Sequence, residues 1–111
     1  MIEEELTKVF SNKKSKKLER GIAFPTCISV NEVCGHFSPL PEDSTKLKTE
    51  DVVKIEVGAH IDGFPSGCAH TITIGGKQKG KQADVILAAY NAFLAATRSI
   101  KPGALNQEVT A

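Results

Sequence analysis

The sequence has no tryptophan, one tyrosine and one methionine among 111 residues. With five phenylalanines as its only other aromatics, it lacks the stacking platforms that read single-stranded bases in sequence. Charge of one sign is not in excess. Fourteen Lys and Arg against thirteen Asp and Glu leave a net charge of +1, too little for a global field that captures nucleic acid. Any such contact must come from a local cluster. No run approaches the roughly 18–20 apolar residues of a membrane-spanning helix, so no membrane partner is expected. Met1 is followed by Glu3, Glu4 and Glu5, not by the basic-then-apolar pattern of a secretion signal. There is no Cys-x-x-Cys. The three cysteines, Cys27, Cys34 and Cys68, cannot all pair within one chain, and they point to a reducing compartment. The expectation for them is small buried apolar thiols, not a zinc cluster.

The hydrophobic content of 41% and length of 111 residues suffice for one domain. Residues 2–12 read as a helix, with Leu6, Val9 and Phe10 on one apolar face. A basic run follows, Lys13, Lys14, Lys16 and Lys17 around Ser15. Its ordinary role is solvated surface, and its functional one is phosphate contact or nuclear targeting. Over 21–37 the character changes. Pro25 excludes a helix interior, and Cys27, Ser29 and Asn31 alternate with Ile28 and Val30 as in a half-buried strand. Cys34 and His36 are placed on one side of that extended segment. Residues 38–51 are a polar, proline-marked loop.

Residues 52–62 and 66–74 alternate with period two, and Asp62-Gly63 between them signals a hairpin. Val53, Ile55 and Val57 share one face; Lys54, Glu56 and Gly58 share a polar face expected to be wet or to line a cleft. Residues 82–99 carry the strongest helical pattern, through Ala83, Ile86, Leu87, Tyr90, Phe93, Leu94 and Thr97, and Lys101-Pro102-Gly103 stops it. Asn106-Gln107-Glu108 looks like another helix start. The expected organisation is one partial domain over 1–111: helix and basic linker to residue 20, strands over 21–74, a long helix over 82–100. No internal repeat is visible.

Four chemical motifs are weighed and set aside. Gly75, Gly80 and Lys81 nearly spell a phosphate-binding loop, but Gln82 stands where a Mg²⁺-binding hydroxyl belongs. No Gly-x-Ser-x-Gly elbow supports a serine hydrolase. Cys34 beside His36 is a thiol and a base without any sign of thiolate activation. Glu56 and Asp62 put two carboxylates on the hairpin, yet the strand over 66–74 adds none, which makes a poor two-metal site.

The segments Gly21–Asn31, His36-Phe37-Ser38-Pro39, Asp51–Gly58, Asp62-Gly63 and Ala69-His70-Thr71 together resemble the type 2 methionine aminopeptidase superfamily. They look closest to its proliferation-associated branch, the ErbB-receptor-binding and nucleic-acid-binding proteins. Lys81–Ile86 and Lys101-Pro102-Gly103 fit the same branch, and the resemblance runs over residues 2–110 in one register. It implies an α+β chain: the first half of a pita-bread (creatinase/aminopeptidase) fold, an antiparallel sheet packed against helices. More helix would precede Met1 and a second half would follow Ala111. It further implies that His36 stands at the substrate-facing histidine position, that Glu56 stands at an aspartate metal ligand, and that Gly67 stands at the aspartate bridging both metals. The other ligands, one His and two Glu, would belong to the second half. Glycine offers no ligand atom, and Glu reaches one methylene beyond Asp.

The implied protein is therefore non-catalytic and without cofactor. It would bind RNA, the ribosome or regulatory proteins in growth and translation, in the cytoplasm and the nucleus. Lys13, Lys14, Lys16, Lys17, Lys77, Lys79 and Lys81 are its candidate nucleic-acid contacts. Half of a two-lobed fold would also expose apolar surface and self-associate. The alternative is an active aminopeptidase using two divalent ions, such as cobalt or manganese, with Glu56, Asp62 or His70 substituting as ligands.

Overall fold

In a computed structural model of the chain, the structure describes residues 2–9, 18–76 and 79–110. The elements run α1 (Ile2–Val9), β1 (Arg20–Val30), β2 (Val52–Ile61), β3 (Phe64–Thr73), α2 (Lys81–Ser99) and α3 (Asn106–Thr110). They fall into two compact units, Met1–Gly76 and Lys77–Ala111.

The first unit is built on an antiparallel sheet in the order β1-β2-β3. Pro25 and Pro65 both lie on its edge strands, where a missing N–H breaks no central ladder. The pairing of β1 with β2 shifts register between Ile22 and Phe24 and again between Phe24 and Cys27. Pro25 sits inside the second irregularity, where its lack of a donor is tolerated. The β2–β3 hairpin closes through Asp62 and Gly63 alone. Both have positive φ, 50° and 79°, the two-residue turn whose twist suits a hairpin. The turn is as the Asp-Gly pair predicts, but β3 starts at Phe64, before the expected residue 66. Glu19 is tied to the same corner: its N–H donates to Asp62 Oδ1 at 2.7 Å, and its carbonyl accepts from the Asp62 N–H at 2.7 Å.

The extended segment expected to reach residue 37 ends at Val30. Asn31 turns the chain with φ 49°. Its side chain accepts from the Val52 N–H and donates to Asp51 Oδ1, both at 2.9 Å. An Asx side chain that satisfies nearby backbone offers an alternative to the ladder, and it wins here. The chain then folds back, so that the Ile28 N–H donates to Phe37 O at 2.7 Å. The hydrophobic centre of this unit is small. Among the described residues, Cys27 and Val53 are the buried apolar side chains.

In the second unit, α2 places Asp84 in its first turn and Arg98 in its last, in accord with the helix dipole. Gly103, at φ 86°, turns the chain into α3. Large apolar side chains of α2, among them Leu87, Tyr90 and Phe93, stay exposed.

Candidate functional site

Directly paired residues of an antiparallel sheet point to the same side. Cys27 lies across from Glu56, and Glu56 from Ala69. The next row on that face is Phe24, Gly58 and Gly67, because residues two apart along a strand share a side. The face expected to be wet or to line a cleft is partly covered. Gly58 is buried and the Glu56 side chain is 20% exposed.

The cover over Glu56 is the loop after β1. The His36 N–H donates to Glu56 Oε1 at 3.0 Å, and the His36 ring Nδ1 stands 3.1 Å from Oε2. Phe37 N–H donates to Ser29 Oγ at 3.3 Å, which anchors the loop next door. Gly35 is what lets the loop come so near: a Cβ there would lie 3.0 Å from Glu56 Oε1. His36 itself takes φ 60°, a region that non-glycine residues enter at a cost. The imidazole faces solvent, with its side chain 90% exposed.

Cys27 completes the group. Its thiol is 6% exposed and donates to Pro25 O at 3.3 Å. One ligand atom each from Cys27, His36 and Glu56 lies within 4.8 Å of the others. Cys34, by contrast, is exposed and lies in the loop after β1, not in a strand. The cysteine grouped with His36 and Glu56 is Cys27, because Asn31 reverses the chain. Nor are the three thiols alike: Cys27 is buried, whereas Cys34 and Cys68 are exposed.

The neighbouring row holds no donor. A Cβ on Gly67 would meet the Phe24 ring at an ordinary 3.8 Å, and beyond that nothing within 4 Å. Gly58 is different, because a Cβ there would lie 2.7 and 2.8 Å from Phe24 Cδ1 and Cζ, and closer still to Cε1. The ring of Phe24 therefore occupies the space over Gly58 and only borders Gly67.

The substitute ligands of the alternative reading are not brought to Glu56. Asp62 spends its carboxylate on the Glu19 N–H at the hairpin corner. His70 pairs with Ile55, so it belongs to the opposite face. Of the proposed nucleic-acid contacts, Lys79 and Lys81 are exposed. Lys13, Lys14, Lys16, Lys17 and Lys77 lie outside the described residues. Cys27 and Phe24 were not legible as site residues. Pro25 between them hinted at an irregular strand, but not which face each neighbour would take.

A metallopeptidase family M24 model matches residues 1–111, and the chain belongs to that family. Its three-stranded antiparallel sheet with helices is an α+β part of the M24 pita-bread fold. The chain is 53% identical to proliferation-associated protein A of Dictyostelium discoideum, over 98% of this chain and 29% of that protein. It is 49% identical to ERBB-3 binding protein 1 of Arabidopsis thaliana, over 98% of this chain and 28% of that protein. The curved DNA-binding protein of Schizosaccharomyces pombe is 47% identical, over 99% of this chain and 29% of that protein. The methionine aminopeptidase of Methanocaldococcus jannaschii is 32% identical, over 84% of this chain and 30% of that protein. The chain thus spans less than a third of the length of the first three relatives.

The two-ion centre of M24 peptidases, as the resemblance implies it, asks this part of the chain for two carboxylates on one face. The donors present do not fit it. Glu56 supplies one carboxylate, held by His36, and residue 67 supplies no side-chain atom at all.

Proposed function

We propose that this protein is a non-catalytic member of the proliferation-associated branch, a binding protein on an aminopeptidase scaffold. The single observation that carries this reading is glycine at residue 67, the position where the resemblance implies the bridging carboxylate; it shares a row with Gly58 and Phe24 and brings no ligand atom to it. Without that group, two cations have no shared ligand to hold them close and orient an attacking hydroxide.

In this reading the protein acts in growth and translation control and binds RNA, the ribosome or a regulatory protein. It resides in the cytoplasm and the nucleus and carries no catalytic cofactor. Support for a protein partner comes from the name of the Arabidopsis relative, which is said to bind ErbB-3. Support for a nucleic-acid partner comes from the name of the fission-yeast relative and from the basic clusters Lys13–Lys17 and Lys77–Lys81. Leu87, Tyr90 and Phe93 of α2 give apolar surface for self-association.

The deciding assay is release of methionine from a short peptide by the full-length protein, with cobalt or manganese supplied. No turnover is expected. Turnover that disappears in Glu56→Ala would overturn the reading and restore an active aminopeptidase.

A further inference from the structure

The donors that miss the two-ion arrangement meet another one. We propose that Cys27, His36 and Glu56 form a site for a single borderline-soft divalent cation of the zinc class. Its set of sulfur, nitrogen and oxygen donors differs from the carboxylate-bridged pair that the family resemblance implies. This goes beyond the binding-protein reading and does not depend on it.

Three observations carry the proposal. The first is proximity, since the three ligand atoms lie within 4.8 Å of one another. Bond lengths of about 2.0–2.3 Å in a tetrahedral zinc site put ligand atoms about 3.4–3.7 Å apart. His36 Nδ1 and Glu56 Oε2 already stand 3.1 Å apart, so the adjustment of up to roughly an ångström falls on their distances to the Cys27 sulfur, and the 90% exposed His36 side chain can move to meet it.

The second is rigidity where rigidity is useful. Glu56 rises from the central strand β2, and Cys27 from its neighbour β1. The backbone of His36 is fixed by its own N–H on Glu56 Oε1. On the following residue it is fixed by the Ser29 hydroxyl and the Ile28 N–H. The loop holds its histidine at φ 60°, a conformation that persists only where the surroundings enforce it. Gly35 admits the approach.

The third is donor chemistry. A thiolate with an imidazole and one carboxylate selects zinc-like ions over magnesium or calcium. Three protein ligands leave one tetrahedral position, on the exposed side of His36, for water or a partner's donor. On binding, the Cys27 thiol loses its proton to solvent and its hydrogen bond to Pro25 O. The near contact of the His36 ring with Glu56 Oε2 is replaced by two bonds to one ion. Binding therefore releases protons.

The test uses the 111-residue chain with zinc, in competition with a chromogenic chelator, and with cobalt as a spectroscopic probe. One equivalent of zinc is expected. Cobalt should give the near-ultraviolet thiolate-to-metal charge-transfer band. Cys27→Ser should abolish that band. Cys27→Ser and His36→Ala should each weaken zinc by on the order of tenfold or more, the scale on which even outer-shell losses act. The Cys34→Ser/Cys68→Ser double variant should bind as the parent does. His36→Ala alters an exposed side chain, so circular dichroism should show the parent's spectrum and loss of zinc could not be laid to unfolding. Absence of the charge-transfer band in the parent, its survival in Cys27→Ser, or its loss in the Cys34/Cys68 variant would overturn the proposal. So would two equivalents of zinc bound with equal strength in the parent and in His36→Ala. None of these outcomes bears on peptide turnover, which separates this proposal from the binding-protein reading.

Discussion

The ring of Phe24 lies against the backbone of Gly58, in the space that any side chain at residue 58 would need. The two face each other across β1 and β2, at the point where the register of β1 shifts on both sides of Phe24. Gly67 closes the same row from β3, but with room beside it. Two glycines in one row thus have different reasons to be there.

Gly58→Ala should destabilise the chain by about 1–3 kcal/mol, the usual cost of overpacking a filled site. Gly67→Ala meets only an ordinary contact and should stay within roughly 0.5 kcal/mol of the parent, as surface substitutions do. Urea titrations followed by circular dichroism would compare them. Equal losses in both variants would contradict the packing described for Phe24.

Glu56→Ala removes the acceptor of the His36 N–H and the partner of its ring. The loop over 31–37 should loosen while the sheet persists. Amide hydrogen exchange is the measurement: the His36 amide should exchange at least about tenfold faster, equivalent to roughly 1.4 kcal/mol of lost protection. The Val53 amide, deep in the sheet, should change little.

Asn31→Ala deletes the bonds to Asp51 and Val52 and leaves alanine at φ 49°. A loss of about 1–3 kcal/mol is expected from the unmet backbone group and the strained φ. Asn31→Gly relieves the strain alone and should recover only part of that loss. Thermal unfolding of the two variants would separate the two causes.

The same contact governs a pH effect. The Asn31 side chain, and after it the Lys48 N–H, hold the Asp51 carboxyl below its ordinary value of 3.8. A depressed carboxyl contributes stability that is fully present above its unfolded value. That contribution is lost as pH falls through the folded value, so the window lies below 3.8. In Asn31→Ala the Asp51 titration, followed by NMR of the carboxyl carbon, should move up toward 3.8. No movement would mean that the Asn31 contact does not set it.

If Lys79 and Lys81 touch phosphates, replacing both with alanine should flatten the plot of log affinity for RNA against log salt. The expected change is about 0.7 in slope for each lysine on a single strand. An unchanged slope would assign both lysines to solvation alone.

Much of the fold is written locally. Asp62-Gly63 marks the hairpin because few other pairs take two consecutive positive φ values cheaply. The spacing of Ala83, Ile86, Leu87 and Tyr90 marks α2 because the helical period needs no distant partner. The motifs from Gly21 to Lys101 identify the family, and glycine at residue 67 rules out a side-chain ligand there whatever surrounds it. Other features depend on contacts across many residues. Asn31 ends β1 only because Asp51 and Val52 come to meet it. Cys27 faces Glu56 only because β1 shifts register around Pro25. His36 joins both because the loop after β1 folds back over Glu56. Residue type and spacing determined which chemistry is missing. Strand register and the reversal after β1 decided which side chains stand together in its place, since those arise from backbone pairing over twenty residues or more and leave no local periodicity to read.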